Sequence, residues 1–190
     1  MDTKPTLRRH LRQLRRAHVA QLPPATSALL FMRPPAALAA LVGEGQTVGL
    51  YHATRDEAPT AAYARWFHEN GRQVALPWFA GPETLMEFRL WQTPWDETSL
   101  VPDPFGARQP AADSPPARPD LVVVPLVGFA ANGARLGQGG GHYDRWLAAH
   151  DVPAVGLAWD CQRHDAIPLE PHDRQLMAVI TPTRLYGELA

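Results

Sequence analysis

Cysteine is almost missing from this sequence. Cys161 is the single one in 190 residues, so no disulfide forms within the chain. No Cys-x-x-Cys pair exists for redox work or zinc, and Cys161, His164 and His172 fit no standard zinc spacing. A reducing compartment suits such a chain, and a cytoplasmic location is expected. Long apolar runs are missing too. The longest, residues 121–131, is interrupted by Pro125 and Gly128 and is too short to span a bilayer. The first residues are charged, so no secretory signal is expected. Neither sign of charge is in excess: 18 basic residues face 19 acidic ones, for a net charge of -1. That excludes the global basic field of many nucleic-acid binders, and neither a nucleic acid nor a membrane is expected as partner. Two familiar nucleotide motifs are absent. No G-x-x-x-x-G-K-[ST] occurs, and a G-x-G-x-x-G begun at Gly137 and Gly139 fails at His142. A dinucleotide oxidoreductase is thereby disfavoured.

The material for a core is present: 45% of residues are hydrophobic and 19% charged. The length suits one domain over residues 1–190. Proline is abundant, with 20 residues, roughly twice the usual share. Many of them fall in the stretch at about 92–119, which reads as an irregular excursion within the domain.

Leu7, Leu11 and Leu14 sit at helical spacing among arginines, predicting a helix near residues 5–20, capped by Thr3 with Pro5 in its first turn. A second helical region spans 25–41, interrupted by Pro34 and Pro35. Strands are expected at 47–52, 73–76, 86–91, 121–126, 154–158 and 178–181, and helices at 59–70 and 143–150. Apolar strands alternating with helices predict an α/β fold: a three-layer domain with a mainly parallel central sheet and helices on both faces.

The segment RLGQGGGHYD, residues 135–144, carries the chemistry. Gly137, Gly139, Gly140 and Gly141 lie within five residues, between an apolar strand and a helix. Glycines permit positive φ and close approach of a ligand, and they leave backbone N–H groups exposed to an anion. The helix start adds partial positive charge and Arg135 a full one. A glycine-rich stretch is often only a turn; here strand, loop, helix and charge agree on a phosphate loop. Lys4 and Arg8, four residues apart, share a helix face. A first-turn lysine opposes the helix dipole, which makes better sense if an anion sits between the two. The remaining arginines of this helix read as a solvated basic face.

The stretch VPLVGFAANGARLGQGGGHYDR, residues 124–145, resembles the signature of the 5-formyltetrahydrofolate cyclo-ligases, or methenyltetrahydrofolate synthetases. Weaker pieces follow in order: KPTLR at 4–8, YHATRDEAPT at 51–60, GRQVALP at 71–77, residues 105–110, VGLAWDCQ at 155–162 and IPLEPHD at 167–173. The resemblance implies ATP- and magnesium-driven cyclisation of 5-formyltetrahydrofolate to 5,10-methenyltetrahydrofolate. ADP and phosphate are released, through a phosphorylated formyl intermediate (an iminophosphate).

The same resemblance implies roles. Lys4 and Arg135 are the catalytic cations. ATP is bound by Lys4, Arg8, Arg135, Leu136, Gly137, Gln138, Gly139, Gly140, Gly141, His142 and Tyr143. Tyr143 lies either against the nucleotide or beneath the loop. Asp144 and Asp173 associate with magnesium, directly or through water; Asp144 also reads as a helix-start acid and Asp173 as a turn residue. Glu57 contacts the pterin ring, or is a helix-start acid ahead of Pro59. His52, Phe105 and His142 line the folate pocket, and His142, replacing the usual tyrosine or phenylalanine, introduces a pH dependence. Gln138 and Gly140 stand where basic residues occur in the family. Ala130 replaces an aspartate, which implies a looser loop unless Asn132 compensates. Partners are small molecules, reduced folate and ATP, and a monomer is expected. The alternative is a non-catalytic folate- or nucleotide-binding protein of the same fold. An RNA-associated role for the arginine-rich helix is opposed by the net charge.

Overall fold

The computed structural model describes residues 3–171 and 173–189; His172 lies outside them. Helix α1 spans Lys4–Gln21. Its N-terminus is capped by Thr3, whose hydroxyl accepts a bond from the Thr6 N–H. The expected second helical region is two short helices, α2 (Pro24–Leu29) and α3 (Ala36–Ala40). The break begins at Phe31, whose φ is 57°, ahead of the two prolines. Strand β1 (Thr47–Gly49) is shorter than expected and leads to α4 (Ala61–Glu69). Asn70 and Gly71 end α4, Gly71 at φ 77°. Next come β2 (Gln73–Trp78) and β3 (Glu87–Leu90).

The proline-rich stretch is less irregular than its composition suggests. It forms a hairpin, β4 (Leu100–Pro102) with β5 (Arg108–Pro110), and then β6 (Pro116–Ala117). Proline is tolerated in β6 because that strand is the sheet edge, where its missing N–H breaks no ladder. Strand β7 (Leu121–Val124) stops at Pro125. A small hairpin follows, β8 (Gly128–Phe129) with β9 (Arg135–Leu136). The glycine loop therefore leaves this hairpin and not the β7 strand directly. Helix α5 (His142–Ala149), β10 (Ala154–Leu157), β11 (Ala178–Ile180) and β12 (Leu185–Gly187) complete the chain.

Eight strands form one sheet in the order β12-β11-β10-β7-β1-β2-β3-β6. The five central strands are parallel; β12, β3 and β6 pair antiparallel at the edges. All four residues of β7 are buried because both faces are covered. Leu121 and Val123 pack with α3 and α4 through Leu38, Tyr63 and Phe67. Val122 and Val124 pack on the other face with Trp146 and Leu147 of α5. No helix among the described residues is long and apolar enough to cross a membrane.

Helix α1 docks on the β8–β9 hairpin. Leu7 and Leu11 bury themselves against Val127, Ala130, Ala134, Leu136 and Ile167, each leucine contributing about 1.5–3 kcal/mol. The hairpin is closed by hydrogen bonds although Ala130 has no side chain to donate or accept one. The Ala130 N–H reaches the Ala134 carbonyl at 2.9 Å, Gly133 N–H reaches the Ala130 carbonyl at 3.1 Å, and Asn132 Oδ1 accepts from Ala134 N–H at 3.2 Å. Asn132 supplies the turn bond, and the Ala130 methyl joins the apolar cluster.

Candidate active site

The chain runs outward from β1 through β2 to the edge, then returns to place β7 on the other side of β1. Connections beyond β1 and β7 therefore diverge and leave a crevice at the carboxyl ends of the strands, the usual ligand position in open α/β sheets. A cavity of about 750 Å³ lies there. Tyr51 and His52 enter it after β1, Pro77 and Phe79 around the end of β2, and Pro125 after β7. Helix α1 and the glycine loop form the opposite wall.

The segment after β1 is held by its own bonds. Tyr51 donates to the Ala58 carbonyl at 2.6 Å, and Thr60 Oγ1 donates to the Tyr51 carbonyl. Burial pushes the Tyr51 hydroxyl well above its ordinary pKa, aided by the nearby Glu57 charge. Trp159 Nε1 donates to the Asp56 carbonyl at 3.0 Å. Glu57 lies four residues ahead of α4, so it is not a helix-start acid. Its Oε2 accepts from Thr54 N–H at 2.9 Å and Thr54 Oγ1 at 2.8 Å, which turns the carboxylate into the cavity wall. His52 also lines the cavity; its Nε2 is 3.7 Å from Glu97, and its buried Nδ1 makes no hydrogen bond.

The glycine loop presents two different sides. Its carbonyls face α1: Arg8 Nε donates to Gly137 O at 2.9 Å, and Arg12 Nη2 to Gln138 O at 2.9 Å. Among the described residues, the N–H groups from Gln138 to Gly141 donate no hydrogen bond. Such a row of unused donors is what an anion nest requires. Gly139 at φ 112° and Gly141 at φ 66° take conformations that side chains disfavour, and Gly141 is the N-cap of α5. Leu136 is buried with Leu7 and Leu11 in the cluster that carries the loop. Tyr143, in the first turn of α5, packs against the core cluster and also lines the cavity, with its hydroxyl buried and unbonded. Burial raises its pKa far above the ordinary tyrosine value.

The expected cations are less exposed than their sequence context suggests. Lys4 is an ion-pair centre, not an exposed side chain: its ammonium is 2.6 Å from Asp173 and 2.7 Å from Glu170, and only 13% of the side chain is accessible. The first helical turn is thereby tied to Glu170 and Asp173, which no local pattern reveals. Burial pulls the Lys4 pKa down, but the bonds and charges of Asp173 and Glu170 outweigh it and leave the group raised. Arg135 is buried and donates through Nη2 to Asp144 Oδ1 at 2.5 Å. Asp144 also accepts from the Arg174 N–H at 3.3 Å, so its carboxylate does more than complement the helix start. Lys4, Arg135, Asp144, Glu170 and Asp173 all line the same cavity. Among the described residues, no three His, Cys, Asp or Glu side chains cluster as a metal site.

Aromatic rings close the remaining side. Phe105, in the β4–β5 turn, lies 4.8 Å from both Phe79 and His142, and Phe79 lies 5.0 Å from His142, all between ring centroids. Asp103 shapes that turn by accepting from the N–H groups of Phe105 and Ala107, both at 2.8 Å. Burial, and then the charge of Arg145, lowers the His142 pKa below its ordinary value.

Among the lining residues that the sequence did not point to are Phe79, Arg12 and Arg15. Phe79 gives no signal beyond being apolar at a strand end. Arg12 and Arg15 belong to the helix face that reads as solvated, yet both line the cavity. Arg12 was discernible, because Lys4, Arg8 and Arg12 repeat every four residues. It also bonds Gln138 Oε1 at 2.8 Å, placing a positive charge where Gln138 supplies none. Burial first, then the charges of Arg15, Arg8 and Arg16, lower its pKa.

A sequence profile of the 5-formyltetrahydrofolate cyclo-ligase family matches residues 1–182. The chain is 33% identical over 153 residues to the 5-formyltetrahydrofolate cyclo-ligase of Mycolicibacterium smegmatis, covering 77% of this chain and 79% of that one. It is 30% identical over 151 residues to the enzyme of the same name from Escherichia coli, covering 74% and 80% respectively. Two solved structures share the fold. The 5,10-methenyltetrahydrofolate synthetase of Aquifex aeolicus superposes with a TM-score of 0.67 at 20% identity, covering 97% of this chain and 92% of that one. The synthetase of Mycoplasma pneumoniae gives 0.67 at 23% identity, covering 95% and 98%.

Proposed function

The chain belongs to the 5-formyltetrahydrofolate cyclo-ligase family and is a ligase, and from that premise we propose its reaction and the work of its residues. The reaction is the cyclisation of 5-formyltetrahydrofolate to 5,10-methenyltetrahydrofolate, driven by ATP with magnesium. The observation that carries this reading is the composition of the crevice at the carboxyl ends of the strands. One wall has a glycine loop with unused N–H groups beside arginines, and the other has Glu57 with an aromatic cluster. Small-molecule partners, ATP and a reduced folate, satisfy both walls.

The formyl oxygen attacks the γ-phosphorus, the bond to the β,γ-bridging oxygen breaks, and ADP leaves. N10 then attacks the formyl carbon of the resulting iminophosphate. Phosphate departs with the former formyl oxygen, and N10 gives up its proton. Catalysis of this kind is mostly alignment and charge neutralisation. The loop N–H groups cradle the phosphates, with Arg8 and Arg12 steadying the loop from its carbonyl side. Lys4 and Arg135 supply positive charge from the cavity wall. Glu57 accepts hydrogen bonds from the pterin ring, while Phe79, Phe105 and His142 pack on the folate and exclude water. His52 lines the same pocket.

Magnesium fits this donor set. A nucleotide-bound magnesium takes one or two protein carboxylates, and Asp144 and Asp173 line the cavity with the glycine loop. Those two would hold it, directly or through water, and bound there it would neutralise phosphate charge.

The test is the rise of the methenyl product's near-ultraviolet absorbance from 5-formyltetrahydrofolate and Mg-ATP. Binding of both ligands without that rise overturns the ligase reaction in favour of a non-catalytic folate- or nucleotide-binding protein.

A further inference from the structure

On α1, Leu7 and Leu11 define a buried stripe repeating every four residues, and the next position on it is Arg15. A leucine would complete the stripe. The arginine puts a guanidinium inside the protein, with 7% of its side chain accessible. Its bonding there is poor. Nη1 donates to the Leu126 carbonyl at 3.3 Å, and Nε is buried with no hydrogen bond. The Glu57 carboxylate is 4.0 Å from Nη1, near enough for charge attraction but beyond hydrogen-bonding distance. A guanidinium carries five N–H donors, and leaving them unmet in a dry site is costly. Both Arg15 and Glu57 line the cavity. Glu57 is itself held ready: Thr54 satisfies Oε2, while Oε1 takes a single longer bond from Gln138 Nε2 at 3.2 Å.

We propose that Arg15 is a substrate-reading residue that donates to the 4-oxo oxygen of the folate's pyrimidine ring, beside Glu57. The inference rests on the proposed function for the identity of the ligand. A 2-amino-4-oxopyrimidine presents donor, donor, acceptor along one edge: the 2-amino group, N3–H and O4. Glu57 accepts from the two donors and displaces its bond from Gln138. Arg15 supplies the donor that O4 needs, and the ligand completes the bonding the guanidinium lacks. The pair also sets specificity. A 4-amino ring offers a donor where O4 stood and leaves Arg15 facing another donor, the kind of mismatch that recognition sites reject strongly.

Equilibrium binding of 5-formyltetrahydrofolate and of its 4-amino-4-deoxy analogue to the full chain tests this. Wild type is expected to prefer the 4-oxo ring by ~10-fold or more, the scale of a charge-assisted hydrogen bond. Arg15→Met is expected to bring the two affinities within about threefold of each other, and Arg15→Lys to keep an intermediate preference. ATP affinity is unchanged in both variants, which separates lost reading from lost folding. Equal binding of the two rings by wild type overturns the assignment, as does an undiminished preference in folded Arg15→Met. Should Arg15→Met fail to bind ATP, wild type and Arg15→Lys decide, an undiminished preference in Arg15→Lys counting against the assignment. If wild type binds ATP but neither ring, the folate reading itself fails, and this inference with it.

Discussion

At the scale of single residues, the cations of this site are defined by their partners. Lys4 holds Asp173 and Glu170, so its removal is expected to act on stability as well as on the proposed ATP binding. Lys4→Ala is expected to raise the KM for ATP ~10-fold and to destabilise the fold by about 1 kcal/mol, or ~2–4 °C in melting temperature. Steady-state kinetics beside a thermal melt separate the two effects, and an unchanged melt would deny the ion pairs a structural part. His142 gives a pH dependence of definite sign. Its folded pKa lies below the ordinary 6.5 because burial, and then Arg145, disfavour the imidazolium. As pH falls through 6.5 the unfolded chain takes up this proton before the folded one, so stability from this residue is present above that pH and lost below it. Wild type is therefore expected to lose more melting temperature between neutral pH and pH 5.5 than His142→Phe, about 1–2 °C more. Parallel melting curves against pH would remove His142 as the cause.

At the scale of elements, the glycine loop works because two others shape it. The β8–β9 hairpin delivers its start and α5 receives its end, with Gly141 as N-cap at φ 66°. Gly141→Ala places a side chain in left-handed backbone, and its Cβ would meet the Arg145 guanidinium. The expected outcome is a loss of about 1–2 kcal/mol in stability together with a ~10-fold weaker ATP affinity, followed by calorimetry. Full ATP affinity with a displaced melting temperature would make Gly141 a helix cap and nothing more. The proline-rich stretch belongs to the same scale. Its hairpin carries Phe105 to the cavity and its last strand closes the sheet edge, so it is part of the site's wall.

At the scale of the whole molecule, α1 joins fold to site. One face buries Leu7 and Leu11 against the hairpin, with Arg15 next on the same stripe, and the adjoining face presents Lys4, Arg8 and Arg12 to the cavity. Leu11→Ala is expected to cost about 2–4 kcal/mol of stability, the range for a buried leucine truncated in a packed cluster. Because the arginines move with the helix, ATP affinity should fall as well. Mg-ATP should then raise the melting temperature of Leu11→Ala less than that of wild type. An equal ligand-induced shift would show that the helix presents its cations independently of its packing.

Much of this was legible in the sequence, and the missing parts share one cause. Local pattern determined the elements that repeat or are punctuated: the α1 stripe, the β-branched strand at 121–124, the Asn70-Gly71 stop and the glycine loop itself. These depend on side-chain period and backbone freedom, which neighbouring residues encode. Weakly patterned two- and three-residue strands such as β6 and β12 exist because an existing sheet offered them a partner. Tertiary structure alone decided that Lys4 is paired across the chain with Asp173, that Arg15 is buried beside Glu57, and that Phe79 meets Phe105 and His142. The strand order did the deciding, since it folds β1 and β7 side by side and brings distant loops to one crevice. Burial and charge pairing there are sums over residues far apart in sequence, and no window along the chain contains them.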